Sequence, residues 1–227
     1  MKKFLEKVKG LMEKLMPMYG WVILIIMIIW DVIVFQGTRL FNTGWHHYSM
    51  ETKWDDMIPY IKEWIWIYLP LAYAQWILGF ILIGRADKRT CFRLIWAEMI
   101  AKTICLVFFI FLPTTMYRAD APGTDFLNRW VQSLYDMDPA DNLFPSIHCL
   151  ESWIIFRSCF YIKFPKWVMP VQLVISILVF ASTLFLRQHV IADVIGGVLS
   201  VEIGLLIMNA YYKRKDAKNA PKQEAAC

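Results

Sequence analysis

Hydrophobic residues fall into six long stretches along the chain, at 18–35, 60–83, 94–116, 147–163, 167–186 and 190–212. Each is close to the length that an α-helix needs to cross a hydrocarbon core about 30 Å thick, and the fourth is the shortest. The stretches lack the period-two alternation that is typical of membrane barrel strands. The pattern predicts an all-α integral membrane bundle of six transmembrane helices.

The two ends of the chain differ from these stretches. Residues 1–16 place apolar side chains at helical spacing, with lysines on much of the opposite face, which predicts an amphipathic interfacial helix on the cytoplasmic leaflet. We expect residues 17–212 to form one transmembrane domain. The basic residues 213–227 are expected to form a cytoplasmic tail that is disordered, at least beyond Lys215.

Composition and charge strengthen this interpretation. Hydrophobic residues make up 58% of the chain and charged residues only 19%, an excess of apolar sequence that must face lipid. The net charge is +5, but Lys and Arg concentrate in 1–16, 85–93, 163–166 and 213–222, whereas the alternate loops are rich in Asp and Glu. The positive-inside rule therefore predicts that both termini are cytoplasmic.

Other classes of protein fit less well. The basic clusters adjoin apolar stretches and are not interleaved with aromatic residues for base stacking, so no nucleic-acid partner is expected. The five cysteines contain no Cys-x-x-Cys pair, and His46 and His47 are adjacent, so neither a disulfide framework nor a metal site is predicted. No cofactor is expected.

The first candidate for chemistry is the pair His189 and Asp193. Their i to i+4 spacing places the imidazole and the carboxylate on one helical face. The carboxylate could accept a hydrogen bond from one ring nitrogen and leave the other as a nucleophilic lone pair. The alternative is a polar pair that only joins helices, but ionisable residues inside spans usually mark function.

A second candidate is the segment Asn142-Leu-Phe-Pro-Ser-Ile-His148, a turn that leads into the fourth stretch. Pro145 suits the first turn of a helix, so the following backbone N–H groups could face an anion, assisted by the helix dipole. Ser146 adds a hydroxyl, and His148 adds a titratable group at the depth of His189. Ordinary helix capping would explain the same pattern.

Two arginines complete the candidate site. Arg118 lies where the third stretch ends, and Arg187 lies two residues before His189. A guanidinium group presents a planar donor fork that fits phosphate oxygens, and two such groups could neutralise a phosphate in a partly dry site. The alternative is that both side chains extend to lipid headgroups.

These residues also carry a family resemblance. Pro-Ser-x-His, followed some forty residues later by His-x-x-x-Asp-Val-x-Gly-Gly, resembles the type 2 phosphatidic acid phosphatase superfamily, over about Arg118 to Leu199. The resemblance implies that 17–212 is a catalytic domain in which His189 attacks phosphorus and Asp193 orients it. His148 would protonate the leaving oxygen, while Ser146, the Ile147 N–H and the arginines hold the phosphate.

The chain departs from the family pattern at several positions. Phe111 occupies the place of a Lys, Ala119 follows Arg118 where Pro is usual, Ile147 replaces a Gly, and Ser182-Thr183 replaces Ser-Arg. Two cations are therefore missing, and Arg187 could replace one of them. This variant resembles the inositol phosphorylceramide synthase-like branch, and fewer cations could shift preference from phosphomonoesters towards lipids with one negative charge.

The sequence thus predicts a membrane lipid phosphatase or phosphotransferase with a phosphohistidine intermediate, facing the extracytoplasmic side. The expected partners are the bilayer and a lipid phosphate or phospholipid; hydrolysis, headgroup transfer and the oligomeric state remain open. The compact chain fits a bacterial inner membrane. One alternative is a catalytically degenerate lipid-binding or assembly protein of the same fold. A transporter with a His/Asp proton relay is less consistent, because the interior charges Asp31, Lys102, Glu151 and Arg157 form no evident path.

Overall fold

The computed structural model describes residues 6, 10 and 12–224, and within them the protein is a helical bundle with one short strand pair. The helices are α1 (Met18–Asn42), α2 (Lys53–Asp56), α3 (Lys62–Arg85), α4 (Lys88–Phe111), α5 (Phe126–Met137), α6 (Ile147–Ser158), α7 (Val168–Phe185) and α8 (Ile191–Glu224). Strands β1 (Tyr48–Ser49) and β2 (Thr114–Thr115) pair in parallel.

Five helices are long and apolar enough to cross a membrane, namely α1, α3, α4, α7 and the part of α8 up to Asn219. They confirm the prediction of an all-α multi-pass membrane protein. The fourth predicted span, 147–163, contains α6, which has only 12 residues. At 1.5 Å per residue α6 is about 18 Å long, well short of a hydrocarbon core about 30 Å thick.

Helix α6 lies at the centre of the bundle. It packs against α3, α4, α7 and α8, and its side chains Leu150, Ile154 and Ile155 belong to the main apolar core. Burial on every side explains why its apolar residues give no amphipathic stripe. The longer helices are therefore arranged around α6.

Two of the long helices contain a wider turn. α1 is π-helical over Ile33–Gly37, and α3 is π-helical over Ile67–Leu71, which includes Pro70. Proline lacks an N–H and cannot continue the regular hydrogen-bond ladder, which accounts for the second irregularity. π-Helical turns are frequent at functional sites. The turn of α3 carries Tyr68, which belongs to the candidate site described below, and the turn of α1 carries Phe35, which lines a cavity beside that site.

The loops divide between the two ends of the bundle as the charge pattern predicts. At one end, β1 pairs with β2 and Arg39 pairs with Asp138 and Asp141. At the other end, Arg89 pairs with Asp216. We call these the loop-rich end and the basic end. Which of them faces the cytoplasm stays a prediction.

The chain termini differ from expectation or lie outside the description. Most of the predicted interfacial helix 1–16 falls outside the described residues, although 12–15 are helical. The predicted disordered tail instead continues α8 to Glu224, since 213–219 are mostly Lys, Arg and Ala, which are strong helix formers.

Candidate functional site

The histidine and carboxylate predicted from the i to i+4 spacing are in contact. His189 Nδ1 lies 3.1 Å from Asp193 Oδ2, and the Val190 N–H donates to the same oxygen at 3.0 Å. Asp193 is fully buried, and His189 is 8% exposed. An Nδ1–H that donates to Asp193 leaves Nε2 of His189 as the ring atom with a lone pair.

The turn between α7 and α8 sets the position of His189. Arg187 in this turn has φ of +51°, in the left-handed region that non-glycine residues rarely adopt. Its guanidinium donates to the carbonyl oxygens of Asp55 at 3.0 Å and Ile58 at 2.6 Å. These two hydrogen bonds hold the turn against the loop before α3. Arg187 therefore fixes the position of the backbone at this turn.

His148 lies in the first turn of α6, with its ring centroid 5.8 Å from that of His189. The starts of α6 and α8 are joined directly, because the Ser146 N–H donates to the Asp193 carbonyl at 3.0 Å. A Cβ at Gly197 would stand 2.5 Å from the Ser146 carbonyl oxygen, so glycine permits this approach. The structure therefore brings together the two histidines that the sequence separates by forty residues.

Tyr68 is a member of this group that the sequence did not reveal. Its hydroxyl lies 2.9 Å from His148 Nε2, and the two rings are stacked with centroids 4.8 Å apart. Tyr68 sits in the π-helical turn of α3 and is buried. A tyrosine in an apolar stretch carries no special signal, and only coordinates could connect it with His148.

Ser146 and Ile147 open α6. The Ser146 Oγ accepts the Cys149 N–H at 3.4 Å, which is the ordinary N-cap arrangement. Ser146 is fully buried, while Ile147 lines a cavity of about 210 Å³ beside His148. The capping alternative is thus realised, and a phosphate role for either residue stays a prediction.

Arg118 is held by neighbouring protein oxygens. It donates to the Gln188 side chain at 3.0 Å and to the Asp138 carbonyl at 2.6 Å, and it lies over the Tyr135 ring. Burial lowers the pKa of Arg118 from its ordinary value. Both Arg118 and Arg187 line a separate cavity of about 370 Å³ at the loop-rich end. Neither guanidinium could bind a phosphate through these N–H groups without giving up present partners.

Asp55 supports the site from a distance in sequence. The Asp55 carboxylate accepts the N–H of Ile191, the first residue of α8, at 2.7 Å. Burial opposes its ionisation, but hydrogen bonds from Ile191 and Thr52 outweigh that effect and hold the pKa of Asp55 below its ordinary value.

No family model, curated protein or solved structure matches this chain.

The likeness to the phosphatase superfamily thus rests on the sequence motifs alone. Among residues 6, 10 and 12–224, no three His, Cys, Asp or Glu side chains are grouped to hold a metal ion. The chemistry available at the site is that of two imidazoles, one backed by a carboxylate and the other by a phenol.

Proposed function

We propose that this chain is a membrane lipid phosphatase or phosphotransferase in which His189 forms a phosphohistidine. The observation that carries the proposal is the 3.1 Å contact of His189 Nδ1 with Asp193, beside a second imidazole whose centroid is 5.8 Å away. A nucleophile oriented by a carboxylate and paired with an acid–base group is what a double displacement at phosphorus requires.

In the proposed first step, His189 Nε2 attacks phosphorus, and the bond from phosphorus to the leaving oxygen breaks. His148 gives its proton to that oxygen, while Asp193 stabilises the positive charge that develops on His189. In the second step, water or an alcohol attacks the phosphohistidine and transfers its proton to His148. The nitrogen–phosphorus bond then breaks and both histidines return to their starting states.

The Tyr68 hydroxyl adds a constraint on His148. It occupies Nε2, so the proton that moves during the reaction is carried by Nδ1 or passes through the Tyr68 hydroxyl itself. Because one histidine must be neutral to attack and the other protonated to donate, turnover is expected to have a bell-shaped pH dependence.

We also propose that the site faces the extracytoplasmic side and that six segments enter the membrane. The support is the segregation of charge: the candidate site lies at the loop-rich end, and Arg89 and its basic neighbours lie at the other end. Impermeant thiol labelling of a cysteine placed at the exposed Lys53 of intact cells would test the orientation.

The test of function is a lipid panel assayed by mass spectrometry, with and without alcohol acceptors. The panel contains phosphatidate, phosphatidylglycerol phosphate, a polyprenyl diphosphate and common phospholipids. His189→Ala and Asp193→Ala are expected to lower turnover by at least about 10³-fold. The first removes the nucleophilic imidazole, and the second removes the carboxylate that orients it. His46→Ala, at an exposed histidine in the loop between α1 and β1, serves as the matched control and should retain activity.

The second candidate function is lipid binding without turnover, and one observation favours it. Arg118 and Arg187 both donate to protein oxygens, and two cations of the family pattern are absent. Purified protein that binds lipid phosphates but converts none of the panel would establish this alternative. Normal turnover by His189→Ala would refute the phosphohistidine mechanism.

A further inference from the structure

Four charged side chains meet inside the bundle below the histidines. Lys102 Nζ lies 2.6 Å from Glu98 Oε1, 2.6 Å from Glu151 Oε1 and 2.8 Å from Asp31 Oδ1. We call this group the Lys102 cluster. Asp31, Lys102 and Glu151, which show no connection in the sequence, are thus neighbours, and Glu98 joins them.

The cluster carries more negative than positive charge. One ammonium group faces three carboxylates, a formal charge of −2 when all are ionised. Glu98 and Lys102 are fully buried, and Glu151 is 8% exposed. The Asp31 side chain is 37% exposed, so the excess charge is not wholly buried. In a medium of low dielectric such an excess is removed either by a proton on a buried carboxyl or by a bound cation.

The excess negative charge borders a cavity. Asp31 and Glu151 line the 210 Å³ cavity that also contains His148 in its wall. The second carboxylate oxygen of Glu151, Oε2, is buried and has no hydrogen-bond partner. A buried acceptor without a partner, in a residue that lines a cavity, indicates a ligand with positive charge or a donor.

Apart from Ile147, the remaining wall of the cavity is aromatic. Tyr73 and Trp76 line it with ring centroids 4.8 Å apart, and Trp76 is fixed because its Nε1–H donates to the Ser152 hydroxyl at 2.8 Å. Phe35 also lines the cavity, although Arg39 already lies over its ring. Aromatic rings beside carboxylates are the usual surroundings of alkylammonium ligands.

An apolar groove adjoins this cavity. A space of about 400 Å³ between α1 and α3 shares Asp31, Tyr73, Trp76 and Glu151 with it. The rest of the groove is largely aliphatic, and several lining side chains are exposed on the outside of the bundle: Ile25, Ile28 and Ile77. A ligand with a charged head and a hydrocarbon tail fits the two spaces together.

We propose that the cavity beside His148 binds the ammonium group of a lipid headgroup, of the choline or ethanolamine type, with the lipid tail in the groove between α1 and α3. As a statement about the substrate, this rests on the proposed function. The proposed binding of the ammonium group itself is supported by the Lys102 cluster and the aromatic wall.

The experiment measures binding apart from catalysis. The purified full chain in dodecyl maltoside is titrated with phosphocholine, phosphoethanolamine and glycerol 3-phosphate, and apparent affinities come from the rise in thermal unfolding temperature. The two ammonium esters are expected to bind about tenfold more tightly than glycerol 3-phosphate, from cation–π and charge attraction together. Tighter phosphocholine binding assigns the site to choline lipids, and tighter phosphoethanolamine binding to ethanolamine lipids.

Single substitutions identify the side chains that produce the preference for ammonium esters over glycerol 3-phosphate. Glu151→Gln and Tyr73→Leu are expected to reduce the tenfold preference to about threefold or less; Tyr73 is half-exposed, so its substitution tests the site even where Glu151→Gln fails to fold. Glu202→Gln is the matched control, because Glu202 is an intramembrane carboxylate paired with Arg157 and does not line the cavity. It should leave the preference unchanged.

The outcomes separate this inference from the proposed function. His189→Ala should retain the ammonium preference while losing turnover. Equal affinity for the three esters, or a full preference in folded Glu151→Gln or in Tyr73→Leu, would overturn the headgroup site even if lipid phosphates are converted. An ammonium preference without any turnover would uphold the site and reject the enzyme.

Discussion

Two buried polar groups lie next to each other in this protein and are built differently. The histidine site, formed by His148, His189 and Asp193, is assembled where loops and helix starts meet, and backbone N–H and C=O groups take part in it. The Lys102 cluster is made by side chains that project from α1, α4 and α6 alone.

The difference shows how each group depends on its neighbours. The histidine site has a partner for each ring, so loss of one side chain removes chemistry more than stability. The Lys102 cluster has one cation for three carboxylates, so loss of that cation leaves like charges in a medium of low dielectric. We therefore expect substitutions in the cluster to act on folding and substitutions at the histidine site to act on rate.

The sharpest test of this contrast is Lys102→Met. It leaves Asp31, Glu98 and Glu151 without their common partner and is expected to lower the free energy of unfolding by about 3–5 kcal/mol, as the breaking of buried ion pairs does. Thermal denaturation in detergent measures the effect. Lys62→Met, at the partly exposed pair with Asp125, is the control and should cost at most about 1 kcal/mol. Equal losses in the two variants would contradict the contrast.

Gly197→Ala tests the seam between the two histidine-bearing helices. The new Cβ would meet the Ser146 carbonyl oxygen at 2.5 Å, so α6 and α8 must separate locally, at about 1–3 kcal/mol. Both unfolding temperature and turnover are expected to fall. In Gly37→Ala the nearest atom would be 3.9 Å away, and that variant should be as stable as the wild type or more so. If Gly197→Ala changes neither the unfolding temperature nor the turnover, α6 and α8 are not in close contact at this position.

Tyr68→Phe tests the phenol that backs His148. Removal of the hydroxyl should lower kcat about tenfold and move the pH profile of kcat, because the His148 ring loses its fixed partner. The unfolding temperature should change little. Tyr19→Phe removes a hydroxyl that bonds the Ala86 carbonyl at the basic end, and it should leave the pH profile in place. A shift of stability without any change of profile would assign Tyr68 to packing alone.

The smallest expected effect concerns Asp55. Since its folded pKa is lowered, its contribution to stability is present above the ordinary Asp pKa of about 3.9 and is lost as pH falls through the lower folded value. Asp55→Asn should therefore cost about 1 kcal/mol at pH 7, and the gap to wild type should narrow below about pH 4. Denaturation at several pH values measures this. If the stability difference between Asp55→Asn and the wild type instead grows on acidification, the folded pKa of Asp55 is not lowered.

The sequence predicted most of the architecture because long apolar stretches have few alternatives in lipid. It identified α1, α3, α4, α7 and the apolar part of α8 as spans, although their ends differ from the predicted bounds by up to seven residues. It overestimated the fourth stretch: apolar sequence continues after Ser158, but α6 ends there and the chain turns. Hydropathy measures burial, and a helix surrounded by other helices is as apolar as one surrounded by lipid.

The site was predictable only where local spacing determines contact. His189 and Asp193 are one helical turn apart, so their contact followed from geometry. The same reasoning could have joined Glu98 to Lys102, which are also four residues apart. In contrast, the partners of Arg118 and Arg187 are supplied by loops and turns distant in sequence, and neither local spacing nor a motif could identify them.

The groove between α1 and α3 has a consequence for how a ligand arrives. A chain of methylene groups costs about 0.8 kcal/mol per CH₂ to move from hydrocarbon into water. Because Ile25, Ile28 and Ile77 open the groove towards the bilayer, a lipid can slide in sideways from its own leaflet with its tail never exposed to water. With the proposed headgroup site, burial of the tail in this groove would add to the affinity of a lipid over that of its water-soluble headgroup ester.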